Sequence, residues 1–294
     1  MTIAIRPLTP DFAGEVSGVD LTQPLTRAEV AVLEAGMDRF AVLVYHGQAV
    51  TDAQQKAFSL NFGALEQTEG GNVTQAKDQR LEPFMADVSN LGADHKPLAR
   101  DDRRRMFNLG NRLWHSDSSF RAIPAKYSIL SGRTAVDKGG RTEFADMRAA
   151  YDALDAATKA EVVDLICEHS LTWSRGTLGF TELTDAERAM FKPVLQRVTR
   201  THPVTLRKSL YLSSHIGSII GWPVPEARAF IRDLTEHATQ PRFLYKHVWK
   251  QYDMVMWDNR STMHRVTRFD ETQVRDMRRT TVAGDSVTVE QLAA

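Results

Sequence analysis

A strict alternation of side chains over residues 242–249 indicates the fold class of this chain. Aromatic rings and one histidine occupy the odd positions of this segment, and Arg, Leu, Lys and Val occupy the even ones. A two-residue period predicts a β-strand, because successive side chains of a strand point to opposite faces of the sheet. The segments 254–257 and 277–282 are also strand-like. Many short strands with helices between them predict a mainly β fold, an antiparallel sandwich or barrel with peripheral helices.

Helix-start signals stand between these strand-like segments. Thr26 and Thr184 each precede a glutamate by three residues, the spacing of a capping box, in which the two residues satisfy each other's backbone N–H groups. Further helices are expected at 51–62, 146–154, 157–167 and 225–237, and further strands at 41–45, 126–131 and 204–213. Because no linker, repeat or low-complexity tract is visible, residues 1–294 are predicted to form a single domain.

The composition excludes several classes of function. The 294 residues include 37 Lys and Arg against 37 Asp and Glu, so a zero net charge gives no reason to expect a nucleic acid or an acidic membrane as partner. The N-terminus shows no signal-peptide pattern, and no apolar run approaches the roughly 20 residues that span a bilayer. The single Cys167 permits no internal disulfide and fits a reducing compartment, so we expect a cytoplasmic location.

Periodicity disappears between residues 66 and 110. This stretch contains Gly70-Gly71-Asn72 and the charged run 100–105, and both are predicted to be loops. A long irregular stretch inside a domain is usually either disordered or a functional lid. Because this stretch runs directly into the chemistry-bearing residues at 113–120, the sequence favours an active-site lid. The basic residues at 103–105 are interpreted as a solvated face rather than an anion site.

A histidine and a carboxylate lie two residues apart in Leu113-Trp114-His115-Ser116-Asp117-Ser118-Ser119-Phe120. If this segment is an extended strand, His115 and Asp117 point to the same face. A third metal ligand has to come from elsewhere, and His264 is the best candidate. Two histidines and one carboxylate on one face of an octahedral metal suit a non-heme Fe(II) centre that activates O2. A His-x-Asp pair is common by chance, so other residues have to support this interpretation.

Two arginines follow His264 in the chain. If residues 255–264 and 275–282 are neighbouring antiparallel strands, Arg275 and Arg279 share a face, since they are four residues apart. Two guanidinium groups near a metal would form two carboxylate sockets, because the planar guanidinium binds a carboxylate through two parallel hydrogen bonds. The alternative is that both arginines pair with surface acids close by in the sequence.

Four separated blocks resemble, in the same order, the Fe(II)- and 2-oxoglutarate-dependent dioxygenases of the taurine and 2,4-dichlorophenoxyacetate dioxygenase family. The blocks are 113–120, 139–154, 256–265 and 278–281. The resemblance extends over nearly the whole chain, and four blocks in the right order are far more specific than any one of them. The serine after His115 and the Asp-Met-Arg sequence at 146–148 are nearer to the phenoxyacetate branch than to the taurine branch.

The resemblance implies a double-stranded β-helix, a cupin-like jelly roll whose strands carry the metal. It implies that His115, Asp117 and His264 bind Fe(II). It also implies that Thr142 and Arg275 bind the distal carboxylate of the cosubstrate 2-oxoglutarate, whose keto acid end chelates the iron. Three protein ligands and a bidentate cosubstrate leave one iron position, which is for O2.

For the substrate, the resemblance assigns its anionic group to Arg279. Asn111 matches a substrate-side asparagine, and His215 matches a histidine that faces the pocket. Asn72 aligns with the position at which the phenoxyacetate branch carries a substrate-binding lysine. Because an asparagine can donate a hydrogen bond but brings no charge, Arg279 is expected to provide nearly all of the anion recognition.

The implied reaction is the hydroxylation of a small anionic substrate, with 2-oxoglutarate converted to succinate and CO2. An aryloxyacetate such as 2,4-dichlorophenoxyacetate, an aromatic herbicide, would be hydroxylated beside its ether oxygen and would collapse to a phenol and glyoxylate. Two alternatives stay open, a taurine or alkylsulfonate dioxygenase and a non-catalytic jelly-roll binding protein. We expect a homo-oligomer with neither a nucleic-acid nor a membrane partner.

Overall fold

Two β-sheets packed face to face form the centre of the molecule in the computed structural model, which describes residues 2–67 and 73–291. The strands of the described residues are β1 (Ala4–Pro7), β2 (Gly14–Ser17), β3 (Val42–Tyr45), β4 (Ala86–Asp87), β5 (Tyr127–Thr134), β6 (Thr142–Asp146), β7 (Ile166–His169), β8 (Val194–Arg197), β9 (Thr199–Thr201), β10 (Lys208–Leu210), β11 (Ile216–Ile219), β12 (Leu244–His247), β13 (Met254–Asp258), β14 (Thr262–Val266) and β15 (Asp276–Val282).

The larger sheet has the strand order β1-β2-β3-β13-β5-β15-β4, and the smaller one has the order β12-β6-β14. Their inner faces share one hydrophobic cluster, in which the rings of Phe144 on β6 and Trp257 on β13 have centroids 5.4 Å apart. The remaining strands form the small sheets β11-β7-β8 and β10-β9. The predicted mainly β architecture with peripheral helices is therefore confirmed.

Helices cover the outside of these sheets. Those of the described residues are α1 (Arg27–Phe40), α2 (Asp52–Leu60), α3 (Arg103–Asn108), α4 (Met147–Asp152), α5 (Ala156–Val162), α6 (Leu171–Gly176), α7 (Asp185–Met190) and α8 (Val224–Ala238). Helices α1 and α7 begin at the predicted capping boxes of Thr26 and Thr184. Buried Met37 of α1 and Phe58 of α2 belong to the cluster on the outer face of the larger sheet. Among these helices none is both long enough and apolar enough to cross a membrane.

Three local predictions are wrong in part. The helix expected at 157–167 ends at Val162, and Cys167 lies in β7, where pairing with β8 and β11 supplies the backbone hydrogen bonds. Of the strand expected at 204–213, only β10 forms. The run 100–105 is not entirely loop, because the side chain of Asp102 accepts the N–H of Arg104 at 2.8 Å and starts α3. At Cys167 and at Asp102, a hydrogen-bond partner decided against the local pattern.

The strand pairing assumed around His264 is also wrong. Residues 255–264 are not one strand but β13 and β14, which belong to different sheets. The break follows Asp258, whose side chain accepts the backbone N–H of Arg260 at 2.8 Å and closes a tight turn. β15 pairs with β5 and β4 rather than with β14. Pairing of β14 with β15 therefore does not bring the two arginines to the site.

Candidate metal centre and adjoining cavities

His115, Asp117 and His264 come together where β14 borders the loop that precedes β5. One ligand atom from each side chain lies within 4.8 Å of the others. His115 Nε2 is 3.8 Å from Asp117 Oδ1, and His264 Nε2 is 3.7 Å from Asp117 Oδ2. All three side chains are buried. In residues 2–67 and 73–291, no other group of three His, Cys, Asp or Glu side chains has this spacing.

A single β-bridge joins the two histidines. The backbone N–H of His115 donates to the carbonyl of His264 at 3.0 Å, and the reverse bond is 2.8 Å long. The predicted strand at 113–120 is wrong beyond this bridge, because Asp117 lies in a turn in which Ser118 has a φ of 54°. The turn is anchored by Asn259, whose Oδ1 accepts the N–H of Asp117 at 3.1 Å. Asp117 thus reaches the histidines through a turn rather than through strand alternation.

The protonation of the triad fits a divalent metal. Nδ1 of His115 lies 2.8 Å from the carbonyl oxygen of Leu113, which can only accept, so Nδ1 carries the proton and Nε2 presents its lone pair towards Asp117. Burial lowers the pKa of both His115 and His264 and favours their neutral forms. Burial raises the pKa of Asp117, but Arg279 and the two histidines outweigh it and lower that pKa to about 2. Two neutral imidazoles and one carboxylate are a donor set suited to Fe(II).

A narrow cavity adjoins the triad. Its lining includes six residues predicted from the sequence: His115, His264, Thr142, Arg275, Arg279 and Asn111. Arg275 is buried, and burial lowers its pKa to about 10. Within the described chain it forms no ion pair. Its guanidinium lies over the ring of Phe269 and donates hydrogen bonds only to the carbonyl oxygens of Val88 and Gly140, both at 3.4 Å. A buried cation without an acid partner is costly, so this arrangement suits a carboxylate ligand.

Arg275 and Arg279 both reach the narrow cavity from around the start of β15. Arg275 immediately precedes the strand and Arg279 lies within it, and the pairing with β5 shifts register between Asp276 and Met277. Within residues 2–67 and 73–291, neither arginine pairs with a surface acid. Arg279 instead donates from Nη1 to Oδ1 of Asp117, and its buried Nε has no hydrogen-bond partner among these residues.

A second, larger cavity of about 640 Å³ also adjoins Arg279. Residues 66–67 and many of residues 74–91 line it, together with Ser118, Phe120 and part of the segment 189–194. The described part of the predicted lid thus forms one wall of this cavity. Arg279 lines both cavities, and an anion bound to it from the larger cavity would lie beside the triad.

Of the other residues predicted for the substrate side, the two that the structure describes, Asn111 and His215, do not line the larger cavity. Asn72 lies outside the described residues. Asn111 lies in a short 3-10 helix, Leu109–Arg112, and lines the narrow cavity rather than the larger one. His215 is buried, with Nδ1 2.8 Å from Ser174 Oγ and its ring centroid 5.0 Å from that of Phe120. His215 therefore lies behind a residue that lines the larger cavity.

Sequence reasoning missed two residues that orient the triad, Ser128 and Asn259. Asn259 binds Ser128 and also accepts the indole N–H of Trp257 at 3.0 Å. Polar side chains at the ends of apolar strand runs, as in the segments 127–131 and 254–259, are the signal that could have identified them. Apolar runs predict burial, and buried polar groups are nearly always hydrogen-bonded.

Comparison with known proteins gives consistent matches. The sequence model of the family described as "Taurine catabolism dioxygenase TauD, TfdA family" matches residues 4–281. The alpha-ketoglutarate-dependent 2,4-dichlorophenoxyacetate dioxygenase of Cupriavidus pinatubonensis (strain JMP 134 / LMG 1197) is 43% identical, over 98% of this chain and 100% of its own length. The protein of the same name from Burkholderia sp. (strain RASC) is 44% identical, over 97% of this chain and 95% of its own.

Among solved structures, the crystal structure of AAD-2 in complex with Mn(II) and N-oxalylglycine is similar over 98% of this chain and 100% of its own. The sequence identity is 65% and the TM-score is 0.96.

Proposed function

The chain belongs to the taurine catabolism dioxygenase TauD, TfdA family, and we propose that it hydroxylates aryloxyacetates such as 2,4-dichlorophenoxyacetate, yielding a phenol and glyoxylate. The resemblance inferred from four sequence blocks is confirmed, and so is the jelly-roll fold. The chain is an alpha-ketoglutarate-dependent oxidoreductase whose cofactor is Fe(II) and whose cosubstrates are 2-oxoglutarate and O2. The non-catalytic alternative is therefore set aside.

The position of Arg279 carries this proposal. Its guanidinium lies between the larger cavity and the triad. An aryloxyacetate that enters the cavity with its carboxylate on Arg279 has its α-carbon one bond away from the anchored group. Because Arg279 also contacts Asp117 of the triad, this carbon is held close to the metal site. This carbon bears the ether oxygen, so hydroxylation there gives a hemiacetal that collapses. The larger cavity has ample room for the aryl ring.

The other side chains of the site are assigned to the metal and to the cosubstrate. We assign His115, Asp117 and His264 to the metal, and Thr142 and Arg275 to the distal carboxylate of 2-oxoglutarate. The bound Fe(II), with 2-oxoglutarate and O2, supplies the oxidising power that converts a C–H bond to C–OH. The protein binds both anions and fixes the distance between them, and the wall formed by residues 74–91 limits the access of water.

A sulfonate would also bind to Arg279, so taurine would use the same anion-binding residue as an aryloxyacetate. It is the less favoured one, because the two curated relatives described above are 2,4-dichlorophenoxyacetate dioxygenases. The large cavity supports the same choice, since taurine has no ring to occupy it.

The test is a substrate panel with Fe(II) and 2-oxoglutarate. We expect 2,4-dichlorophenoxyacetate to yield succinate and 2,4-dichlorophenol in equal amounts. The neutral amide 2,4-dichlorophenoxyacetamide is the matched control, because it keeps the ring and the ether but removes the charge. It should support little turnover. If taurine supported faster succinate formation than the aryloxyacetate, the proposal would be wrong.

Further predictions from the sequence belong to the same proposal. Residues 1–294 form one domain with a lid at about 66–110, and Asn72, Asn111 and His215 contribute to the substrate side. The partner is a small anionic organic molecule, and the chain assembles as a homo-oligomer. Its compartment is the cytoplasm, where the single Cys167 would stay reduced.

A further inference from the structure

The indole of Trp249 donates a hydrogen bond from Nε1 to Oγ1 of Thr142 at 2.9 Å. Both side chains are buried. An indole N–H can only donate, whereas a hydroxyl has one proton and two acceptor positions. The Thr142 oxygen is therefore the acceptor in this contact, and its own proton is left for another acceptor. One buried neighbour thus sets the direction of hydrogen bonding at Thr142.

The described part of the chain supplies no acceptor for this proton, since the contact with Trp249 is the only hydrogen bond of the Thr142 side chain there. Thr142 lines the narrow cavity together with Arg275. A carboxylate that pairs with Arg275 is acceptor-only, and it would meet the free O–H of Thr142. A donor of this kind is useful only if its proton points into the cavity.

Packing holds the indole in the position that this contact requires. Trp249 follows β12, whose last residue His247 is paired with Thr142 across the two strands. The ring of His247 stands edge-on to the indole, with centroids 4.6 Å apart and an interplanar angle of 90°. The backbone at Gly132 also lies close, since a Cβ added there would be only 3.2 Å from the indole. The indole therefore has little freedom to turn its N–H away from Thr142.

We propose that Trp249 is a positioning residue for 2-oxoglutarate: by occupying one lone pair of Thr142 Oγ1, it directs the hydroxyl proton to the distal carboxylate beside Arg275. This inference rests on the proposed role of Thr142 in cosubstrate binding. Without the indole N–H, the hydroxyl can rotate and donate elsewhere, so the carboxylate loses a preorganised donor. Trp249 itself is not among the residues that line the narrow cavity.

The test measures binding rather than turnover alone. Calorimetric titration of the Mn(II)-loaded protein with N-oxalylglycine gives the affinity, and steady-state kinetics give KM for 2-oxoglutarate. For Trp249→Phe, which keeps an aromatic ring but removes the donor, we expect both constants to weaken by about fivefold, the value of one neutral hydrogen bond. The KM for the aryloxyacetate should stay constant. Trp222→Phe, which removes an indole that packs on Phe230, is the matched control and should leave both constants unaltered.

A merely structural role predicts a different result, namely a lower melting temperature and kcat with an unaltered affinity for N-oxalylglycine. If Trp249→Phe does not fold, replacement of Trp249 by benzothienylalanine keeps the two-ring shape and removes only the N–H. An unaltered affinity in either variant overturns the inference.

A double-mutant cycle separates this inference from the function on which it rests. We expect Thr142→Val to weaken N-oxalylglycine binding, and Trp249→Phe to have no further effect in the Thr142→Val background. An equal loss in both backgrounds would show that Trp249 acts without Thr142 and would overturn the inference alone. If Thr142→Val leaves the affinity unaltered, the assignment of Thr142 to the cosubstrate is wrong.

Discussion

Ser128 donates its hydroxyl proton to Oδ2 of Asp117 at 2.7 Å. The direction of this bond is set by Asn259, whose Nδ2 donates to Ser128 Oγ at 2.9 Å and whose Oδ1 accepts the backbone N–H of Asp117. The candidate metal-binding carboxylate is therefore oriented by residues from β5 and from the turn after β13. Both belong to the framework of the larger sheet, so the orientation does not depend on the lid.

Ser128→Ala should weaken Mn(II) or Fe(II) binding by about tenfold to a hundredfold, because groups that orient a metal ligand typically contribute this much to metal affinity. The measurement is the metal dissociation constant by calorimetry. Ser131→Ala is a matched control on the same strand, since Ser131 is also buried but donates to the amide of Gln55 at 2.7 Å. Equal metal affinities for the two variants would contradict the proposed role of Ser128.

His115→Ala should abolish metal binding while the protein stays folded. One of three ligands is lost, and the remaining pair cannot fill one face of an octahedral ion. The readout is the metal content after anaerobic reconstitution with Fe(II), together with the far-UV circular dichroism spectrum. His215→Ala is the control, because this ring lies 6.2 Å from that of His115 but belongs to no ligand set. A His115→Ala protein that retains one iron per chain would show that the triad is misassigned.

Arg275→Met should raise the 2-oxoglutarate requirement more than tenfold, because truncating one partner of a buried charge pair costs about 2–5 kcal/mol. The same change should not lower the melting temperature without cosubstrate, since it removes an unpaired buried charge. Arg278→Met, which removes a half-buried cation paired with Asp276 and Asp52, is the control and should leave the requirement unaltered. An unaltered requirement in Arg275→Met would reject its role.

Arg279→Ala should reduce kcat/KM for 2,4-dichlorophenoxyacetate by about a hundredfold, since a hydrogen bond to a charged group contributes roughly 1.5–3 kcal/mol. Metal content has to be measured in parallel, because Arg279 also contacts Asp117. Arg121→Ala is the comparison variant, since Arg121 lines the same cavity but is 40% exposed. This substitution should reduce kcat/KM much less than Arg279→Ala does. If turnover persists in metal-loaded Arg279→Ala, Arg279 is not the residue that binds the anionic group of the substrate.

Asp276 should contribute to stability in a pH-dependent way. Burial raises its pKa, but hydrogen bonds from Arg278 and Arg80 outweigh this effect and lower the pKa from 3.8 to about 2. Because the pKa is depressed in the folded state, the contribution is complete above about pH 4 and is lost as the pH falls towards 2. Asp276→Asn should therefore lower the free energy of unfolding by roughly 1–2 kcal/mol at pH 7, with a shrinking difference below pH 4.

Urea unfolding of both proteins at several pH values measures this difference. Asp233→Asn, at an exposed pair with Arg232, is the control and should change little at any pH. A difference for Asp276→Asn that stays constant from pH 7 down to pH 2 would contradict the ionisation as its cause.

Much of the secondary structure could be predicted because its determinants are local. Thr26 and Thr184 start helices through side chains three residues away, and the apolar runs before Tyr45 and around Trp257 form strands as expected. The three triad residues could also be identified from residue type and motif. The turn at Asp117 could not, because Asn259, 142 residues later, anchors its backbone N–H.

Local pattern failed at two places where distant partners supplied the hydrogen bonds. Cys167 continues a helical pattern in sequence but lies in a strand because β8 and β11 pair with it. The same limit applies to β15, whose neighbour is β5 rather than β14. Strand register and neighbour choice depend on which faces are buried together, a property of the assembled sheets rather than of any segment.

Residue types along the chain were thus sufficient for the fold class, the two capping-box helix starts and the donor set of the metal centre. Only the tertiary structure decided how these donors are oriented. Ser128 and Asn259 are 131 residues apart, and Thr142 and Trp249 are 107 apart. The physical reason is that a hydrogen bond between side chains has a direction and a distance, and the packing of the two sheets determines both.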